Sequence, residues 1–333
     1  DSVEDAAFSE LIKLDNHLTI KNFITMAEHK KRTSDLMKKL SEFSIRIVFT
    51  AHPTQFYPRS VLDIMGNLRP LIAENKIDEI DLSLQQLGLT SLTNLKKPTP
   101  FDEAKNIIYF LRSVYYDGVG DLYSYIKKNT SALGIYNPNL IQLGFGPGGD
   151  RDGNPFVTSE ITERVADELR MTLMKCYYQE IKRLEQKLTF RGVEEHIAKL
   201  RERLYVTMFD PEQTISLNEM IDPLFEVKGV LMDKFNGLYM EELEALIDKI
   251  NIFKTHFASL DIRQNHREHK KAVEEILRKE NLIKTSLDEL SEQEMITLLI
   301  HRKLEINAED FQDEGIKDTI RTIKLIKSIQ AKN

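Results

Sequence analysis

The stretch LIQLGFGPGGDRDGNP, residues 140–155, decides how this chain is read. Its first six residues, Leu140 to Phe145, are largely apolar and stop at a glycine cluster, the pattern of a short strand closed by a turn. Beyond the loop, Leu169, Leu173, Cys176, Tyr177, Ile181, Leu184 and Leu188 recur at three- and four-residue steps. That spacing predicts an amphipathic helix over about 159–190. Thr158 suits its N-cap, and Glu160 and Glu163 suit the positive end of its dipole. The unit is a strand, a glycine-hinged loop packed with fixed charges, and a long helix.

The same logic extends in both directions. IRIVFT, residues 45–50, is rich in β-branched side chains, and FASLDIR, residues 257–263, alternates apolar with polar, so both read as strands. In the latter, Ala258, Leu260 and Ile262 share one face while Ser259, Asp261 and Arg263 share the other. In the former, Arg46, Thr50 and His52 fall together if the strand runs on. Helical stripes fill 7–40, 59–72, 102–128, 193–206, 239–251 and 266–278. Pro98 to Pro100, Tyr136 to Pro138 and Asp210-Pro211 break them as loops.

Long helical stretches between strands predict parallel neighbours joined by helical crossovers. The expected fold is mainly α with a few parallel strands: an incomplete (β/α) barrel of about three strands surrounded by long helices, its inside holding polar chemistry. Residues 1–333 read as a single unit, with 1–40 a helical lead-in and 41–333 the first barrel strands with helical insertions. Each strand places its unusual residues at its C-terminal end, where barrel enzymes keep their reacting groups. The expectation is that His52 and Arg263 project from adjacent strands into one polar cavity.

Composition narrows the function classes. With 333 residues the chain can bury a large core. Its net charge of −7 and pI near 5.7, with scattered Lys and Arg, exclude the broad basic field of nucleic-acid binding. The single cysteine, Cys176, excludes a disulfide framework and makes a reduced, cytoplasmic compartment the default. No basic and apolar leader opens the sequence and no run of about 18 apolar residues occurs, so no membrane partner is expected.

His52, between Ala51 and Pro53, is either a turn histidine or a group suited to moving a proton at neutral pH. Arg59, after Pro58, lies in a helix first turn whose free N–H groups favour anions, or is simply solvated. GFGPGG, residues 144–149, formally satisfies a dinucleotide fingerprint, but Pro147 sits inside it and Asp150 and Asp152 repel a pyrophosphate. A calcium loop from Asp150 fails because Pro155 and Ile161 stand where glycine and glutamate are needed. Arg263 has a planar fork suited to phosphate or carboxylate, with an ion pair to Asp261 or another neighbour as the structural alternative. His266 and His269 read as a surface pair, and no metal ligands are assigned.

Taken together, TAHPTQ at 50–55 with Arg59-Ser60, GGDRDGNP at 148–155, and LDIRQ at 260–264 resemble the signatures of the phosphoenolpyruvate carboxylase family. PTPFDEA at 98–104 resembles a weaker family segment. The resemblance spans most of residues 41–275. It implies a parallel eight-stranded barrel ringed by helices. It also implies a reaction joining phosphoenolpyruvate and bicarbonate, through carboxyphosphate and an enolate, to give oxaloacetate and phosphate with Mg2+ or Mn2+. Carried over by position, His52 is the catalytic histidine taking a proton from the carboxyphosphate carboxyl group, and Arg263 binds the phosphate. Asp150, Arg151, Asp152 and Asn154 frame the same pocket, and Arg59 matches an arginine of a phosphate-ester activator site. Pro58 stands where the family usually has arginine, Gly146 where it commonly has tryptophan, and Asn265-His266 where Glu-Ser is usual.

Family members are much longer, and their metal-binding carboxylates, catalytic lysine and mobile glycine-arginine loop lie in the part beyond this sequence. The expectation is therefore an N-terminal fragment of a homotetrameric cytoplasmic enzyme, inactive alone and binding no metal itself. The rival expectation is a helical phosphate-binding or regulatory module that keeps the motifs without the chemistry.

Overall fold

The computed structural model describes residues 19–50, 57–93, 98–152, 154–300 and 304–332. Three short parallel strands, β1 (Ile45–Phe49), β2 (Ile141–Phe145) and β3 (Ser259–Leu260), form a sheet in the order β1-β2-β3. Most of the remaining described residues are helical.

The helices in chain order are α1 (Ile20–His29), α2 (Thr33–Glu42), α3 (Arg59–Ala73), α4 (Ile77–Leu89), α5 (Pro100–Phe110), α6 (Tyr116–Thr130), α7 (Ser159–Lys187), α8 (Glu194–Thr207), α9 (Leu217–Phe235), α10 (Met240–Phe253), α11 (His266–Lys279), α12 (Glu292–Ile300) and α13 (Glu314–Ala331). Their starts follow local chemistry. Thr99 and Asp102 form a capping box on α5 with Pro100 at its first position, and Ser216 and Glu219 do the same for α9. Thr158 caps α7 as its sequence suggests, through its side chain to the Ile161 amide.

The stripe expected to be one helix over 7–40 is divided where described: Lys31, at φ 54°, separates α1 from α2. Residues 102–128 form one continuous rod, but with a π-helical turn at Leu111–Tyr115 joining α5 to α6. The strand expected over 257–263 is reduced to two residues. Phe257 takes φ 28°, which ends extended backbone on one side. Beyond Leu260, only Arg263 makes a further bridge, to Asp150.

β2 is the buried centre of the sheet. Ile141, Leu143 and Phe145 pack among Leu169, Leu173 and Tyr177 of α7 and Leu246, Ile250 and Phe253 of α10 in the main core. Strand register sets the other face. Arg46 pairs with Gln142, Val48 with Gly144, and Gly144 with Ser259, so these residues lie on one side and Ile45, Ile47, Phe49, Ile141, Leu143, Phe145 and Leu260 on the opposite one. Gln142, Arg46 and Ser259 are exposed. One face of the sheet is therefore largely polar and open, while the other meets helices along β2.

The expected placement of the His52 and Arg263 strands as direct neighbours is corrected: β1 and β3 flank β2, whose two edges each pair in parallel with one of them. The sheet is open rather than closed into a barrel among the described residues. β1 lies at its edge with Ile45, Ile47 and Val48 between 38% and 51% exposed.

Candidate functional site

The site is built at the C-terminal ends of β2 and β3. After Phe145 the chain turns at once: the Gly146 carbonyl accepts from the amides of Gly149 and Asp150, both at 3.0 Å, and Gly148 takes φ 80°. The loop then runs back beside the segment that follows β3. The Arg263 amide donates to the Gly149 carbonyl and the Arg151 amide to the Arg263 carbonyl, each at 3.0 Å. A side chain at Gly149 would place its Cβ 2.3 Å from the Asp261 carbonyl oxygen, so only glycine permits this approach.

That backbone zipper sets Asp150 beside Arg263. The Arg263 Nη1 to Asp150 Oδ2 distance is 3.6 Å, outside hydrogen-bond range, with side chains 54% and 43% exposed. Of the carboxylates open to Arg263, the one that faces it is Asp150 rather than Asp261. Asp261 is taken by Arg46, whose guanidinium reaches it from β1 across Gly144. A Cβ at Gly144 would lie 2.8 Å from Arg46 Nε, so the absence of a side chain on β2 is what lets this link span three strands.

Within the loop, Asp150 Oδ1 accepts from the Asp152 amide at 3.2 Å, and Asn154 Oδ1 accepts from the Phe156 amide at 3.1 Å. Both are turn-forming bonds that fix the loop's course. Asp152 is exposed and Asn154 half-buried, and both border a cleft of about 730 Å3 that also reaches Gln264, Asn265 and Glu160.

Arg151 has different surroundings from its neighbours. Its side chain is 3% exposed, and its guanidinium donates to Asp318 and Thr322 of α13 and to Thr162 of α7. Burial pulls its pKa down, while the Asp318 carboxylate works in the opposite direction. Arg59 opens α3, donates to Asp63 at 3.1 Å, and lies 4.0 Å over the Tyr109 ring.

His52 lies outside the described residues. The strand that leads to it ends beside the loop, since the Phe49 carbonyl accepts from the Gly146 amide at 2.8 Å. Cys176 is buried, which pushes its thiol up to about 12 and removes it as a nucleophile. The sequence carried no sign of Asp318, Thr322 or Thr162 as partners of the loop. Their relation to Arg151 is a tertiary contact across more than a hundred residues for two of them.

A family model described as phosphoenolpyruvate carboxylase matches residues 5–214 and 194–333. The chain belongs to the phosphoenolpyruvate carboxylase family. Curated phosphoenolpyruvate carboxylases similar to it include that of Trichormus variabilis, 24% identical over 89% of this chain and 36% of the relative. That of Gloeobacter violaceus is 23% identical over 90% of this chain and 39% of the relative. That of Nicotiana tabacum is 28% identical over 63% of this chain and 24% of the relative. The chain thus spans between about a quarter and two fifths of the length of these phosphoenolpyruvate carboxylases.

Proposed function

We propose that this chain supplies part of the active site of a carboxylase that joins phosphoenolpyruvate and bicarbonate to give oxaloacetate and phosphate. The observation that carries this reading is the zipper that sets Arg263 and Asp150 together at the open end of a polar-faced parallel sheet. The three strands are then the first part of a (β/α) barrel, and the polar face with Arg46, Gln142 and Asp261 is its interior.

Arg263 binds the phosphate of phosphoenolpyruvate. Its present partner is held at 3.6 Å rather than in a tight fork. A phosphate can therefore displace the carboxylate and take the guanidinium in bidentate fashion. A fixed cation at the phosphate stabilises charge as the bond to the enol oxygen breaks. His52 takes the proton from the carboxyphosphate carboxyl group, so that carbon dioxide is released beside the enolate. Asp152 and Asn154 shape the rim, Arg151 supports the loop from behind, and Arg59 serves a phosphate-ester effector.

The family reaction uses Mg2+ or Mn2+. Among the described residues no group of three or more His, Cys, Asp and Glu is placed to hold a metal ion. Its ligands belong to the remainder of the family's length. The whole enzyme acts as a cytoplasmic homotetramer under this reading. Among the described residues no helix is long and apolar enough to cross a membrane.

The test uses the polypeptide carrying the family's full length, assayed for bicarbonate-dependent oxaloacetate formation. Arg263→Ala should lower kcat/KM by about 10²- to 10³-fold with a raised KM for phosphoenolpyruvate. His52→Asn should lower kcat by at least about 10²-fold with phosphoenolpyruvate binding kept. Unchanged carboxylation in both variants refutes the assignment.

A further inference from the structure

The geometry points to Asp318 as a positioning residue that holds the Asp150–Arg263 pair through a buried clamp on Arg151. This rests on the carboxylase reading above. Asp150 and Arg151 are consecutive, yet their side chains go to different partners. One is beside Arg263, and the other enters the interface of α7 and α13.

Asp318 uses both carboxylate oxygens there. Oδ2 accepts from Arg151 Nη1 at 2.9 Å, and Oδ1 accepts from the Ser159 amide at 2.7 Å, at the first turn of α7. The middle of the loop, at Arg151, and the start of α7, at Ser159, are therefore tied to one side chain of α13. Thr162, fully buried, completes the frame: its hydroxyl accepts from Arg151 Nη2 at 2.9 Å and donates to the Gly148 carbonyl at 2.7 Å. Thr322, also buried, accepts from Arg151 Nη1. Among the described residues, Arg151 Nε is buried with no hydrogen-bond partner, so the guanidinium relies on its two outer nitrogens and on Asp318 for charge.

This interior attachment explains why the loop needs an arginine between two aspartates. Arg151 is almost wholly buried, its forked head matches three acceptors at once, and a lysine has no such fork. The same loop amides that position Asp150, those of Gly149, Asp150 and Arg151, are bonded to Gly146 and Arg263 carbonyls. Loosening Arg151 loosens the zipper that fixes Arg263.

The experiment has two arms. In this chain, Asp318→Asn should speed amide exchange at Gly149, Asp150 and Arg151 by about tenfold or more, read by NMR. In the full-length polypeptide it should lower kcat on the order of 10²-fold, the cost of displacing reacting groups by about an ångström, with Asp318→Glu recovering part of the loss. Arg151→Gly should be inactive and partly restored by added guanidinium ion, which can occupy the acceptors of Asp318, Thr322 and Thr162. Thr322→Val keeps volume and should give a smaller loss, which covers failure of Asp318→Asn to fold. Unaltered exchange in Asp318→Asn, or altered exchange with full activity, overturns the clamp alone. Absence of carboxylation in the unsubstituted full-length polypeptide removes the carboxylase reading, and the positioning role with it.

Discussion

Gly149 shows how narrowly single residues are specified here. Its missing Cβ would sit 2.3 Å from a backbone oxygen, which cannot rotate away. Gly149→Ala should therefore destabilise the chain by about 3 kcal/mol, the upper part of the range for overpacking, measured by urea unfolding. His256, half-buried beside Lys254, has its pKa lowered, first by burial and then by that lysine. The unfolded imidazole takes up a proton below about pH 6.5 while the folded one resists. Stability should thus fall as pH drops from about 7.5 to 5.5, and His256→Gln should flatten that slope in paired denaturation curves. A slope unchanged by the substitution would assign the acid sensitivity elsewhere. The charged residues of GGDRDGNP are legible as a special loop, yet their division of labour is not. Nothing in the sequence says that Asp150 faces Arg263 and Arg151 faces α13, because that depends on which way an eight-residue loop turns.

Among the elements, the joints are made by charge buried between helices. Lys249 of α10 bonds Asp117 of α6 at 2.8 Å and Glu180 of α7 at 2.9 Å, and lies 4.4 Å over the Tyr116 ring. Burial works against its ammonium, but the bonds to Asp117 and Glu180 prevail and hold its pKa above the ordinary value. Gly120 makes the space, since a Cβ there would meet the lysine chain at 2.5 Å. Lys249→Ala should cost about 2 kcal/mol in chemical denaturation, because Glu180 loses its 2.9 Å hydrogen-bonded partner and keeps only Arg183 at 3.6 Å. Lys249→Met should show that the loss persists when the apolar stem is kept. Helix existence was readable from spacing for α3, α5, α7, α8, α10 and α11. The stripe before residue 40 misled because a polar break at Lys31 has no proline or glycine to announce it. The strand at 257–263 misled because alternation continues for seven residues while β2 turns away after Phe145 and leaves little to pair with.

For the whole molecule, the telling feature is the β1 edge. Ile45, Ile47 and Val48 are exposed on a strand whose outer backbone groups have no neighbouring strand among the described residues. Such an edge invites pairing with another strand. This chain alone should therefore self-associate at rising concentration, and Ile47→Lys should reduce that association in sedimentation velocity without lowering the unfolding midpoint. Equal association in both chains would place the contact on another surface.

By itself, the sequence determined the kinds of element, their parallel arrangement, and the family, because periodicity and eight consecutive motif residues are local properties. Only tertiary structure decided that β2 stands between the other two strands, that Arg46 crosses Gly144 to Asp261, and that Asp318 anchors the loop. Each of these joins residues more than ninety positions apart, and it is the closure of the intervening chain around one core that brings them within bonding distance.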